Sequence, residues 1–232
     1  MGRRKMTDPK SRRVVTRHAE EAFQFSCEKI AYWFFRLNGC LNLTNFLVHH
    51  ERKDREGTEV EVLGVRFPYR NELALSGRSM DDHEIFTERE QKIDIIVADA
   101  TTGDCKVNDS WIKPEKLNME RILFALGIFP KKRAEAIAVK LYEELYYDDD
   151  PAFRVNIYAL GRKKNADLPP VVLQLTWEEV LLFIHHRFVT FDDYKRQHDQ
   201  WDTTGKELFE RATHSWREPK QFISDVISHL TN

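Results

Sequence analysis

Apolar residues recur at helical spacing over residues 19–37. Ala22, Phe25, Ile30, Trp33, Phe34 and Leu37 form the stripe, and Asn38-Gly39 supplies a C-terminal stop. Asn45-Phe46-Leu47-Val48-His49 reads as a short strand, and the charged stretch 51–56 closes on Gly57. Residues 58–67 read as a second strand rich in β-branched side chains, ended by Pro68. Period two places Glu59, Glu61, Leu63 and Val65 on one face, with Val60, Val62 and Arg66 on the other. Residues 69–90 are polar and lack a period, which predicts a long loop that covers a site or lacks order.

The next run, Ile95-Ile96-Val97-Ala98, is apolar without alternation, as in a strand buried on both faces. It ends on Asp99, followed by Ala100-Thr101-Thr102-Gly103. A carboxylate at the end of a buried strand costs free energy unless it meets a cation, a metal or water. Asp99 therefore marks either a site or a strand end that simply faces solvent.

Pro114 opens a predicted helix over 115–126, which Gly127 and Pro130 break. A second helix is predicted over 131–147, then strands over 153–160 and 171–175. Thr176 is placed to cap a helix running to about Phe188, with Glu178 and Glu179 in its first turn. The remainder, 192–232, is predicted to be largely helical. Trp177, Trp201, Trp216 and Phe222 either pack internally there or form a protein interface. Asp148-Asp149-Asp150 lacks the ligand spacing of a calcium loop, and adjacent His185-His186 diverge on a helix, so neither predicts a metal site.

A chain of 232 residues with 41% hydrophobic composition can bury one substantial core. The formal net charge of −2 announces no overall basic field, but the charge is uneven. Arg3, Arg4, Lys5, Lys10, Arg12, Arg13 and Arg17 suggest a flexible basic arm over residues 1–18. Lys131-Lys132-Arg133 and Arg162-Lys163-Lys164 are further clusters that suit either solvated faces or phosphate contacts. Cys27, Cys40 and Cys105 show no paired spacing, which excludes a cysteine zinc motif and suits a reducing compartment. No apolar run reaches membrane-spanning length and none begins the chain as a signal peptide would, so a cytoplasmic protein without a membrane partner is expected.

The order helix, strand, strand, strand, helix, strand carries Glu28 in the first helix, Glu61 on the second strand and Asp99 at the end of the third. With the segments Glu28-Lys29-Ile30-Ala31-Tyr32-Trp33-Phe34, Thr58-Glu59-Val60-Glu61-Val62 and Ile93-Asp94-Ile95-Ile96-Val97-Ala98-Asp99, this arrangement resembles the PD-(D/E)XK, or restriction-endonuclease-like, nuclease superfamily over residues 20–160. The resemblance implies an α/β fold with an αβββαβ core, a mixed sheet flanked by helices. That core would span 19–175, with a helical C-terminal extension over 176–232. It also implies a hydrolase acting on DNA with Mg²⁺ or Mn²⁺, in which Glu61, Asp99 and the Ala100 carbonyl hold the ion. Glu28 would bind a further ion or orient a water. Magnesium suits such oxygen donors, and the ion both neutralises charge developing on a phosphate and activates water.

The pattern departs from the family at the lysine two residues after the second acid, where Thr101 stands. Threonine can neither carry a positive charge nor act as a base near neutral pH. One repair makes Thr102-Gly103 a two-residue hairpin loop, setting Lys106 opposite Asp99. Another takes Asp94 as the first acid and Asp104-Cys105-Lys106 as the signature. Without either, the chain is a nuclease fold that has lost cleavage and binds nucleic acid or a protein partner, the latter through the C-terminal helices.

Overall fold

The computed structural model describes residues 23–87, 91–197 and 201–232. The basic arm of 1–18 and the predicted helix start at 19–22 lie outside the described residues. The chain runs β1 (Phe25–Ser26), α1 (Cys27–Leu37), β2 (Leu41–Val48), β3 (Thr58–Arg66), α2 (Glu84–Thr87) and β4 (Ile93–Ala100). A 3₁₀ turn at Pro114–Lys116 precedes α3 (Asn118–Leu126), α4 (Lys131–Glu144), β5 (Tyr146–Tyr147), β6 (Phe153–Gly161) and β7 (Leu173–Thr176). Four helices and a short strand follow: α5 (Trp177–Thr190), α6 (Asp192–Lys195), α7 (Thr203–His214), α8 (Pro219–Ser228) and β8 (Leu230–Thr231).

The main sheet is mixed, with order β2-β3-β4-β6-β5, and β7 adds to the same edge of β6 beyond β5. β2–β3–β4 is an antiparallel meander, whereas β4, β6 and β7 run parallel. The expected α/β class with helices flanking a mixed sheet is what the chain adopts. One face of the sheet carries α1, α5, α7 and α8 around Trp33, Phe35, Val62, Ile96, Tyr158, Phe188 and Phe222. The other carries α3 and α4 around Leu63, Ile95, Val97, Ile122, Leu141 and Ile157. With two covered faces, β4 and β6 are buried along nearly their whole length, as a run without alternation requires.

The C-terminal helices share the first of these cores. Leu208, Phe222 and Val226 are buried with Trp33, whose indole N–H donates to Asp202 Oδ1 at 2.9 Å. Gly205 permits this contact, since a Cβ there would lie 2.0 Å from the Trp33 ring. Trp177 and Phe222 are thus core residues, whereas Trp216 is 55% exposed.

Several boundaries differ from the sequence expectation. Ser26 is extended and β1 pairs with β8, so α1 begins at Cys27. β2 starts at Leu41 rather than Asn45, because this edge strand turns Leu41, Leu43 and Leu47 outward and its pattern does not follow burial. Leu117, at φ +53°, separates the 3₁₀ turn from α3, and Leu145, at φ +58°, ends α4 and frees Tyr146–Tyr147 to pair with β6. The stretch predicted as a loop over 69–90 includes α2, and its 88–90 portion lies outside the described residues. The loop is held by Asp82, a buried carboxylate that accepts from Arg66 at 2.7 Å, from Arg70, and from Arg187 at 3.5 Å. Val60 and Val62, expected on one face, join opposite cores. Between them the β2–β3 ladder skips the Asn45–Glu61 pair, and Asn45 adopts φ +53°. β3 therefore departs from period-two alternation between Val60 and Val62, beside this skipped pair.

Candidate functional site

β3 and β4 pair Val62 with Ala98 and Leu63 with Val97. The ladder ends there, one residue short of Glu61 and Asp99, and the charge of Asp99 acts on Glu61. Asp99 is 2% exposed, and on its other side it pairs with Ala159 of β6. Glu61 Oε2 and Asp99 Oδ1 are both buried with no hydrogen-bond partner. Two acids with orphaned oxygens on neighbouring strands are costly, since each orphaned oxygen loses water without gaining a donor.

The electrostatics follow from that burial. Asp99 is raised to about 6, first by loss of water, while the charge of Lys106 and the Ala100 backbone N–H work in the opposite sense. Glu61 is raised to about 7, first by burial and then by the negative charge of Asp99, with Lys106 again opposing. The two acids interact, the charge of Asp99 opposing the ionisation of Glu61. Structure therefore brings together Glu61, Asp99 and the charge of Lys106.

Lys106 reaches this place by a route other than the hairpin. The segment after β4 does not fold back along it. Thr101 N–H donates to Leu160 O at 3.0 Å, Arg162 N–H to Gly103 O at 2.6 Å and Cys105 N–H to Lys163 O at 2.8 Å. These bonds lay residues 101–105 against the end of β6, and no strand pairs Thr101 with Asp104. Gly161 makes the approach feasible, because a Cβ there would meet Cys105 N at 2.6 Å and Gly103 O at 2.8 Å. Asp99 and Lys106 are accordingly not a cross-strand pair.

Thr101 is buried. Its carbonyl accepts from the Trp177 indole at 2.9 Å and its hydroxyl from Gly103 N–H at 3.3 Å. The position where the resemblance calls for lysine is thus used for holding the loop. Asp94, the alternative first acid, is 1% exposed and bound to Arg154 and, at 3.0 Å, to Asn156 Nδ2, which leaves it no free oxygen for an ion. Asp104 is exposed.

Glu28 lies in the first turn of α1, partly buried. Its neighbour Cys27 has its thiol pushed up to about 12 by burial, with Glu28 and then Asp99 adding to the effect. Among the described residues no three His, Cys, Asp or Glu side chains gather as a metal-holding group, so Glu28 does not join Glu61 and Asp99 in one. Sequence reading missed two contributors: Trp177, and Asn232, whose Oδ1 accepts from Thr102 N–H at 2.8 Å. Neither carries a local motif, since both arrive from distant parts of the chain.

Two large cavities lie elsewhere. One, of about 680 Å³, follows the β2 edge past Leu41, Leu43 and Leu126. The other, of about 740 Å³, is lined by Thr58, Glu59, Asn108 and Arg121. Glu61 and Asp99 line neither. No helix among the described residues is long and apolar enough to cross a membrane. No family model, curated protein or solved structure matches the chain.

Proposed function

We propose that this chain is a nuclease-like hydrolase of restriction-endonuclease type, in which Glu61 and Asp99 hold one Mg²⁺ or Mn²⁺ beside a DNA phosphodiester. The observation that carries the reading is a pair of carboxylates at the end of the β3–β4 ladder, each with one buried oxygen that no donor satisfies. A divalent cation is the partner that such a pair lacks. Magnesium binds through one or two carboxylates and keeps several waters, so two protein ligands suffice. The ion, when bound, supplies neutralisation of the charge that builds on the phosphate and an acidified water.

The chain's own residues divide the remaining work. Asp99, fixed between β3 and β6, gives the site its rigid edge, and Glu61, next to the interrupted ladder, gives it the second carboxylate. Lys106 stands in for the absent motif lysine by placing a positive charge near both acids. Its ammonium donates to a phosphate oxygen or orients the attacking water. Incubating duplex DNA with the full chain and Mg²⁺ or Mn²⁺ tests this. Cleavage is expected from the wild type and from none of Glu61→Ala, Asp99→Ala and Lys106→Ala. Cleavage unaffected by the first two substitutions removes the assignment.

Two observations favour a second reading, in which the fold binds nucleic acid without cutting it. Thr101 replaces the lysine, and among the described residues no third acidic ligand joins the pair. DNA binding that requires no metal and is never followed by turnover distinguishes this case.

A further inference from the structure

Two basic clusters are legible in the sequence, Lys131-Lys132-Arg133 and Arg162-Lys163-Lys164. β4 and β6 run parallel, and Asp99 pairs with Ala159 near the end of β6. Arg162 follows Gly161, the last residue of that strand. Arg133 instead pairs with Asp150, whose carboxylate accepts from the N–H groups of Ala152 and Phe153 at the start of β6. At about 3.3 Å per residue the nine residues of β6 span roughly 26 Å, with Arg133 tied to its start and Arg162-Lys163-Lys164 following its other end, where Asp99 pairs.

The loop that carries Lys106 is bonded to this cluster through Gly103 O and Cys105 N–H. Lys106, Arg162 and Lys163 are exposed, and no ion pair holds them among the described residues. Lys164 differs, since Glu179 accepts from it at 2.7 Å. Two carboxylates repel an approaching phosphate; the charge of Lys106 acts on both, and Arg162 and Lys163 add two more exposed cations on the segment bonded to its loop. Flexible exposed cations of this kind fit a phosphodiester backbone, where contacts position the strand without reading its bases.

We propose that Lys106, Arg162 and Lys163 form the surface that tracks the phosphate backbone of nucleic acid past the Glu61–Asp99 pair. This rests on the nuclease-like reading for what lies beside the surface, but its test reads binding alone. The full chain, in chelator so that no metal-dependent cleavage occurs, is titrated with a fluorescent DNA duplex between 50 and 200 mM salt. Each phosphate contact adds about 0.9 to the slope of log affinity against log salt. The double variant Arg162→Ala/Lys163→Ala is expected to lower that slope by about 1.8. Lys131→Ala/Lys132→Ala is expected to leave it unchanged, and Lys164→Ala to lower it less than either single change at 162 or 163. An unchanged slope in the first variant, an equal loss in the second, or a parent chain that does not bind DNA overturns the proposal. Absence of cleavage in a separate assay with metal bears only on the nuclease reading.

Discussion

Replacing Glu61 by Gln removes one titrating group while keeping size and shape. In the folded chain Glu61 ionises at about 7 rather than at its ordinary 4.5, because burial and then the charge of Asp99 oppose its ionisation. The unfolded chain gives up this proton near pH 4.5, and the folded chain holds it to about 7. Across that interval the native state binds more protons, so stability falls as pH rises. At about 1.36 kcal/mol per pH unit the penalty is on the order of 3 kcal/mol, and solvent reaching the half-buried side chain reduces it to about 2. Asp99, raised from 3.8 to about 6, adds a loss of the same sign in a window roughly one unit lower. Urea unfolding from pH 4 to 8 measures this directly. Glu61→Gln is expected to flatten the decline and to be more stable than the wild type by about 2 kcal/mol at pH 8, with no gain at pH 4. Parallel curves for the two proteins would mean that Glu61 ionises as an exposed glutamate does, and that the two acids do not share a buried site.

Asp82→Ala strands Arg66 and Arg187 with their counter-ion gone, and such losses in buried networks cost about 3–5 kcal/mol, readable as a lower urea midpoint with an unchanged slope. Gly161→Ala drives a methyl into Cys105 N and Gly103 O; destabilisation of about 1–3 kcal/mol is expected, and an unchanged midpoint would show that the 101–105 segment does not rest on β6. Thr176→Ala removes a capping box in which the hydroxyl accepts from Glu179 N–H and the Glu179 carboxylate accepts from Thr176 N–H, at a cost of about 1 kcal/mol by thermal unfolding.

What the sequence disclosed depended on whether the information was local. The unbroken apolar run before Asp99 announced a strand covered on both faces, and β4 is one. The capping box at Thr176 and the stop at Asn38-Gly39 are likewise local chemistry, and both boundaries fall where those residues place them. Asp99 could be singled out because an acid ends an apolar strand there, whereas only the resemblance picks out Glu61. Their meeting at the end of the β3–β4 ladder depends on strand pairing, which no single strand contains. The hairpin at Thr102-Gly103 failed for the complementary reason. Those two residues suit a tight turn, but Leu160, Gly161 and Lys163 offer the segment a parallel neighbour, and Trp177 fixes its start. Tertiary bonding decided a path that local preference left open. Asp94 also looked available from sequence, and only the fold supplies Arg154 and Asn156 to occupy it. The parting of Val60 and Val62 to opposite cores has no trace in residues 58–67.

The central claim is that Glu61 and Asp99 together accept a divalent cation. Calorimetric titration of the full chain with Mn²⁺ and Mg²⁺ at pH 7 tests it most directly, run in two buffers of different ionisation enthalpy so that proton release is counted. One ion per chain is expected, with release of up to about one proton, because the cation takes over carboxylates that still hold protons at this pH. That heat should vanish in both Glu61→Gln and Asp99→Asn. No binding to the wild type, or binding that survives both substitutions, contradicts the account.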